Sequence, residues 1–275
     1  MTRSLLRREI SHRNLARAAE WNAEMTYGSV PSVIYGETEA GEHGNFLPAA
    51  YRRILRHAEW KARLAKVYTG SRFVPRRHDR RRSELECANS SDALLMNIFC
   101  YPGVLRRRAV YSLLAIEPGL EPGFGFKPAI PLKSGAADRS EIDLKLGNLF
   151  IEAKLTEGDF QTTRCDLVQR YRDLEAVFEL DRLPRSLRGF RSCQLVRGAL
   201  AAYAHQACFA ILCDQRRQDL IESCFDVFAA VVNSDLRCRL SVVTWQELAR
   251  TMPRKVQLFL EQKYGISAGS IEGCW

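Results

Sequence analysis

The 275-residue chain has no apolar run approaching the roughly 20 residues that a membrane-spanning helix needs. Its first residues, Met1-Thr-Arg-Ser-Leu-Leu-Arg-Arg-Glu9, are charged throughout and lack a signal-peptide core, so the expected location is the cytoplasm. The nine cysteines are odd in number, contain no Cys-x-x-Cys pair and sit mostly among apolar residues. That pattern predicts reduced, core-filling thiols rather than a disulfide framework. The five histidines are scattered, with no pair at metal-ligand spacing, so a zinc site is not expected. Internal repeats, low-complexity stretches and a coiled-coil seam are also missing, which removes solenoids and extended assemblies from consideration.

What the chain does have is positive charge. Lys and Arg number 41 against 32 Asp and Glu, a net charge of +9. Such an excess favours a polyanionic partner and is silent about fold. The charge is concentrated in one run: Arg72, Arg76, Arg77, His78, Arg80, Arg81 and Arg82. This run reads either as a solvated stretch or as an arm that contacts phosphates.

The pattern along the chain predicts helices over about 4–25 and 49–67, with loop between them. Ser90 or Ser91 caps a further helix, and another spans about 104–116. Residues 124–132 read as an extended edge strand. Helices are then expected over about 159–180, 193–205 and 218–232, with loop at 181–190. Cys208–Cys213 reads as a buried strand and Leu240–Trp245 as another, and two short helices close the chain. Helix–strand alternation of this kind predicts parallel pairing. The expected architecture is α/β, with a mixed central sheet: a hairpin at one end, parallel strands at the other, and helices around it. A basic helical extension over residues 1–83 would precede the main domain, residues 84–275.

The segment with chemical content is Ser140-Glu-Ile-Asp-Leu-Lys-Leu-Gly-Asn-Leu-Phe-Ile-Glu-Ala-Lys-Leu155. Two alternating runs separated by Gly147-Asn148 signal a hairpin with a two-residue loop, which sets its register. Leu146 then faces Leu149, Leu144 faces Ile151, and Asp143 faces Glu152. Strict alternation puts Ile142, Leu144, Ile151 and Ala153 on one face and Asp143, Glu152 and Lys154 on the other. Facing carboxylates repel, so a divalent cation between them would give the arrangement a reason. The competing interpretation is an exposed ladder of charge pairs, in which Glu141 faces Lys154.

Asp143, followed after eight residues by Glu152-Ala153-Lys154, resembles the PD-(D/E)xK nuclease motif of restriction-endonuclease-like proteins. That family carries its acids on a β-hairpin within a helix–three strands–helix–strand core. Four further segments, His43-Gly-Asn-Phe46, Ser90-Ser-Asp-Ala-Leu94, Cys193-Gln-Leu-Val-Arg197 and Thr244-Trp-Gln-Glu-Leu248, are similar to stretches of uncharacterised bacterial proteins described as restriction endonucleases. The family's usual proline before the aspartate is replaced by Ile142.

The resemblance implies a DNA endonuclease, in restriction or phage defence, that uses Mg2+ or Mn2+. Asp143 and Glu152 would ligate the metal together with the Ala153 carbonyl and a substrate phosphate. The metal would activate a water and neutralise charge on the phosphate. Lys154 would orient that water, a role safer than general base, because two carboxylates keep its pKa high. Many members add an acid from the first core helix, and Glu84, Glu86 and Asp92 are all candidates. Gln161, Gln194 and Arg197 are candidates for holding substrate. Two rivals remain open: an inactive nuclease fold that binds DNA or acts as a scaffold, and a subunit that cuts only with a partner. Cutting both strands would favour a homodimer.

Overall fold

A computed structural model describes residues 1–21, 23–26, 31–67 and 83–269. The basic run at 72–82 and Cys274 therefore lie outside the described residues. Two compact units are present, one comprising residues 1–119 with 245–275 and the other residues 120–244.

The first unit opens with α1 (Arg3–Ala18), followed by β1 (Ala23–Met25) and β2 (Val33–Tyr35), which pair antiparallel. Next come α2 (Pro48–Arg56), α3 (Ala58–Arg63), α4 (Ser91–Phe99) and α5 (Arg108–Leu114). The sequence predicts one helix over 49–67, but it divides at His57, whose backbone is extended and whose ring stacks on Trp60 at 4.1 Å. The predicted cap is present at the next helix: Ser90 Oγ accepts the Ala93 N–H at 3.1 Å. All nine residues of α4 are buried, which makes it the central helix of this unit.

The second unit is built on the sheet. Its strands are β3 (Gly123–Phe126), β4 (Ile130–Pro131), β5 (Ala137–Asp138), β6 (Ile142–Leu146) and β7 (Leu149–Ala153), then α6 (Cys165–Gln169) and α7 (Leu174–Val177). There follow β8 (Arg185–Ser186), β9 (Gly189–Phe190), α8 (Cys193–Ala204), β10 (Cys208–Cys213), α9 (Gln218–Ala229), α10 (Ser234–Arg237) and β11 (Leu240–Thr244). The central sheet has the order β11-β10-β7-β6-β3. β6 pairs antiparallel with both β3 and β7, while β7, β10 and β11 run parallel. This is the mixed sheet that the sequence predicts, consistent with a restriction-endonuclease-like core. The chain then returns to the first unit with α11 (Trp245–Arg250) and α12 (Arg254–Tyr264).

β7, Leu-Phe-Ile-Glu-Ala, is apolar except for Glu152, and all five of its residues are buried. It is the middle strand of five, covered on both faces, so its one charged residue must find partners within the protein. α8 packs close to the sheet because Gly198 has no side chain: a Cβ there would lie 2.0 Å from the Phe209 ring of β10.

One predicted element is not there. The helix expected over 159–180 is replaced by the short α6 and α7. Thr163 instead bridges Phe190, its N–H donating to the Phe190 carbonyl at 2.9 Å, and Tyr171 bridges Leu132. Gln161 has φ +64°, which no helix tolerates. The loop expected at 181–190 contains the small β8–β9 hairpin that supplies one of these bridges. Similarly, α1 ends at Ala18 rather than near Met25, because residues 23–25 pair with β2.

Candidate active site

The site begins at the turn between β6 and β7. Gly147 has φ +55° and Asn148 does not share the left-handed conformation, the pattern of a type II′ turn with glycine first. The resulting ladder pairs Leu146 with Leu149, Lys145 with Phe150 and Leu144 with Ile151, the predicted register. It then stops one pair short of Asp143 and Glu152. The Ala153 N–H, next in line for a backbone partner, donates to Asp143 Oδ2 at 2.8 Å. The strands part where the acids sit, and the aspartate side chain closes the gap. Strict alternation also fails at this end, since Ile142 packs in one cluster with Phe150 and Ile130 while Leu144 and Ile151 lie outside it.

Glu152 and Lys154 each expose only 5% of their surface. Lys154 Nζ donates to Glu152 Oε1 at 2.7 Å, and so does Nε2 of Gln194, from the first turn of α8, also at 2.7 Å. Both donors use Oε1, so Oε2 accepts no hydrogen bond from a described residue. The Lys154 backbone is held by β10 through a 2.8 Å bond to the Leu212 carbonyl, and its ammonium lies 5.7 Å from the Phe160 ring centroid. Burial alone would lower the Lys154 pKa, but the charges of Glu152, Asp143 and Glu157 outweigh it and drive the value above the usual lysine range. Lys154 is therefore an ammonium at neutral pH, a hydrogen-bond donor that neither accepts nor readily releases a proton.

Glu157, absent from the sequence-based candidates, belongs to this group of acids. Its Oε2 accepts the Leu155 N–H at 2.6 Å, which folds the post-strand loop back on itself. An acid three residues after the lysine was the available signal. The same loop fixes α8: the Gln161 and Phe160 carbonyls accept the N–H groups of Cys193 and Gln194, both at 3.0 Å. Gln161 thus contributes its backbone, while its side chain is exposed.

The remaining candidates have other partners. Arg197 donates to Ser140 Oγ at 3.1 Å. Glu84, Glu86 and Asp92 belong to the other compact unit. There Asp92 is buried, with Arg63 on both of its oxygens at 3.0 and 3.1 Å and Lys66 at 2.7 Å. Burial would raise its pKa, but the two cations hold it below the usual aspartate range. Glu84 lies 3.3 Å from Lys66, and Glu86 caps its own short turn by accepting the Ser83 N–H at 3.1 Å.

Among the described residues no group of three or more His, Cys, Asp or Glu side chains is arranged to hold a metal ion. The pair at hand is still compatible with magnesium, which takes oxygen donors and is commonly bound by one or two carboxylates plus substrate phosphate and water. The spare Oε2 of Glu152 and the carboxylate of Asp143 are donors of that kind.

A family model described as Restriction Endonuclease associating with ARP matches residues 13–265. The chain belongs to this family. Its match spans both compact units, so the helical unit is as much part of the restriction-endonuclease family as the sheet. No curated protein and no solved structure matches the chain. Among the described residues no helix is long and apolar enough to cross a membrane.

Proposed function

We propose that this restriction-endonuclease family member hydrolyses phosphodiester bonds of DNA with Mg2+, for which Mn2+ can substitute, in restriction or phage defence. Asp143 and Glu152 hold the cation, and Lys154 directs the attacking water and offsets charge on the phosphate. The observation that carries this reading is the buried ammonium of Lys154, 2.7 Å from Glu152 and surrounded by the charges of three acids. A charged lysine buried among carboxylates is costly for folding alone. It fits a site whose negative charge is to be shared with a cation and a phosphate.

A bound divalent cation supplies charge neutralisation at the scissile phosphate and a more acidic water. The chain's own residues do the rest. Gln194 fixes the Glu152 carboxylate by occupying Oε1, leaving Oε2 for the metal. Asp143 is anchored by the Ala153 N–H, so both acids are preorganised before substrate arrives. Lys154, held by β10 through its backbone, presents a point charge on a flexible stem.

The family description names association with ARP, which supports a chain that acts beside a partner. A second reading, a nuclease fold serving only as a DNA-binding or scaffolding subunit, takes support from the burial of Glu152 and Lys154. Incubating the purified chain with plasmid and linear DNA, with Mg2+, Mn2+ or chelator, separates the two. Nicking or cutting that requires the metal supports the enzyme, and metal-independent binding with no cutting supports the subunit.

A further inference from the structure

Beside the acid pair, within the sheet unit, lies a cavity of about 260 Å³. Two guanidiniums line it, those of Arg170 and Arg197. Neither is part of an ion pair among the described residues. Arg197 is half-buried and spends one of its donors on Ser140 Oγ, while Arg170 has no side-chain hydrogen bond to a described residue. The acid in the lining, Asp138, lies in the field of Arg197 and makes its hydrogen bonds elsewhere: Oδ1 accepts the Ser140 N–H and hydroxyl at 2.8 and 2.7 Å, and Oδ2 accepts the Tyr171 hydroxyl. The lining also includes the apolar side chains of Leu167, Val168 and Val196, of which Leu167 is left 39% exposed.

We propose that this cavity receives one nucleotide of the substrate strand, adjoining the bond to be cut. Arg170 and Arg197 take its phosphate, and the side chains of Leu167, Val168 and Val196 take the sugar and base. The inference rests on the nuclease reading of the acid pair and deepens it. The exposed Arg170 and the half-buried Arg197 together offer donors to an anion with several acceptor oxygens, which phosphate supplies in matching geometry. An exposed leucine and two valines beside them call for a ligand with an apolar side, which a bare phosphate lacks. Extruded nucleotides meet pockets of this mixed kind.

The connection to the chemistry is direct. Ser140 and Arg197 also line a crevice of about 10 Å³, room for a single water, that reaches Glu152 and Gln194. Gln194 and Arg197 are one turn apart on α8, so their side chains share a face, with about 5–6 Å between Cβ atoms. One holds the metal-binding carboxylate, and the other faces the neighbouring nucleotide.

The test uses the full-length protein in chelator, where no cleavage intervenes, with titration calorimetry of deoxyadenosine monophosphate, deoxyadenosine and inorganic phosphate. The monophosphate is expected to bind at least about tenfold more tightly than either fragment. The double variant Arg170→Gln/Arg197→Gln should weaken it by about 10- to 100-fold, the loss of charge-assisted hydrogen bonds. Leu167→Trp, a surface change that fills the mouth, should weaken it independently of charge. Phosphate binding as tightly as the monophosphate, or unchanged binding in both variants, overturns the proposal. So does a wild-type protein that cuts DNA with metal yet does not bind the monophosphate, and the nuclease reading then stands alone. Monophosphate binding that responds to the variants in a protein that never cuts upholds the cavity while removing the nuclease reading.

Discussion

At the scale of single residues, Glu152 shows how a buried carboxylate is held in place and still available. Two donors converge on one oxygen, so the other is the face left for a ligand. Groups that orient a metal-binding carboxylate commonly matter 10–100-fold for metal affinity. Gln194→Leu is therefore expected to raise the Mg2+ concentration for half-maximal cleavage by about that factor, with the rate at saturating metal much less affected. A metal titration of cleavage checks it, and an unchanged midpoint would mean that Gln194 only packs α8. Asp92 makes the contrasting case. It neutralises Arg63 and Lys66 in the helical unit, so Asp92→Asn should cost about 3 kcal/mol in urea unfolding, the scale of breaking a buried ion pair. Because its folded pKa lies below the unfolded value, this contribution is intact above about pH 4 and is lost as pH falls through the folded value. Cleavage per folded molecule that survives Asp92→Asn would remove Asp92 from the candidates for the additional acid.

At the scale of elements, the hairpin and α8 together make the site, and α8 can approach only through Gly198. A methyl group there would collide with the Phe209 ring, so Gly198→Ala should destabilise by about 1–3 kcal/mol, the range for overpacking, and displace Gln194 from Glu152. Urea unfolding gives the first number, and reduced cleavage by the folded fraction reports the second effect. Elements also show what sequence reveals. The hairpin was legible because a two-residue turn and alternating strands leave one register. β10 was legible because six consecutive apolar residues suit a strand covered on both faces. The helix expected over 159–180 failed because its apolar spacing says which residues are buried, not what they pair with. Thr163 and Tyr171 take partners in Phe190 and Leu132, a choice made by tertiary structure. For the same reason the sequence marks Gln194 as a candidate for holding substrate and not as the partner of Glu152, 42 positions away.

At the scale of the whole molecule, the net charge of +9 is the term that gathers a polyanion regardless of sequence. Binding of the intact chain to random-sequence duplex DNA is expected to fall about 100-fold between about 50 and 200 mM salt, as about four phosphate contacts require. Anisotropy titrations at several salt concentrations measure that slope, and a flat dependence would remove charge from the account of binding. The family match across residues 13–265 places both units in one evolutionary framework, with the acid–lysine site confined to the sheet unit.

The central claim is that Asp143, Glu152 and Lys154 form a metal-dependent phosphodiesterase site, and the most direct measurement compares Lys154→Ala with the native chain. Cleavage of DNA in Mg2+ or Mn2+ is followed beside DNA affinity in chelator. Metal-dependent cutting by the native chain is expected, with cutting abolished in Lys154→Ala and affinity within a few-fold of native. Equal cutting by the two proteins, or cutting that persists in chelator, would contradict the claim.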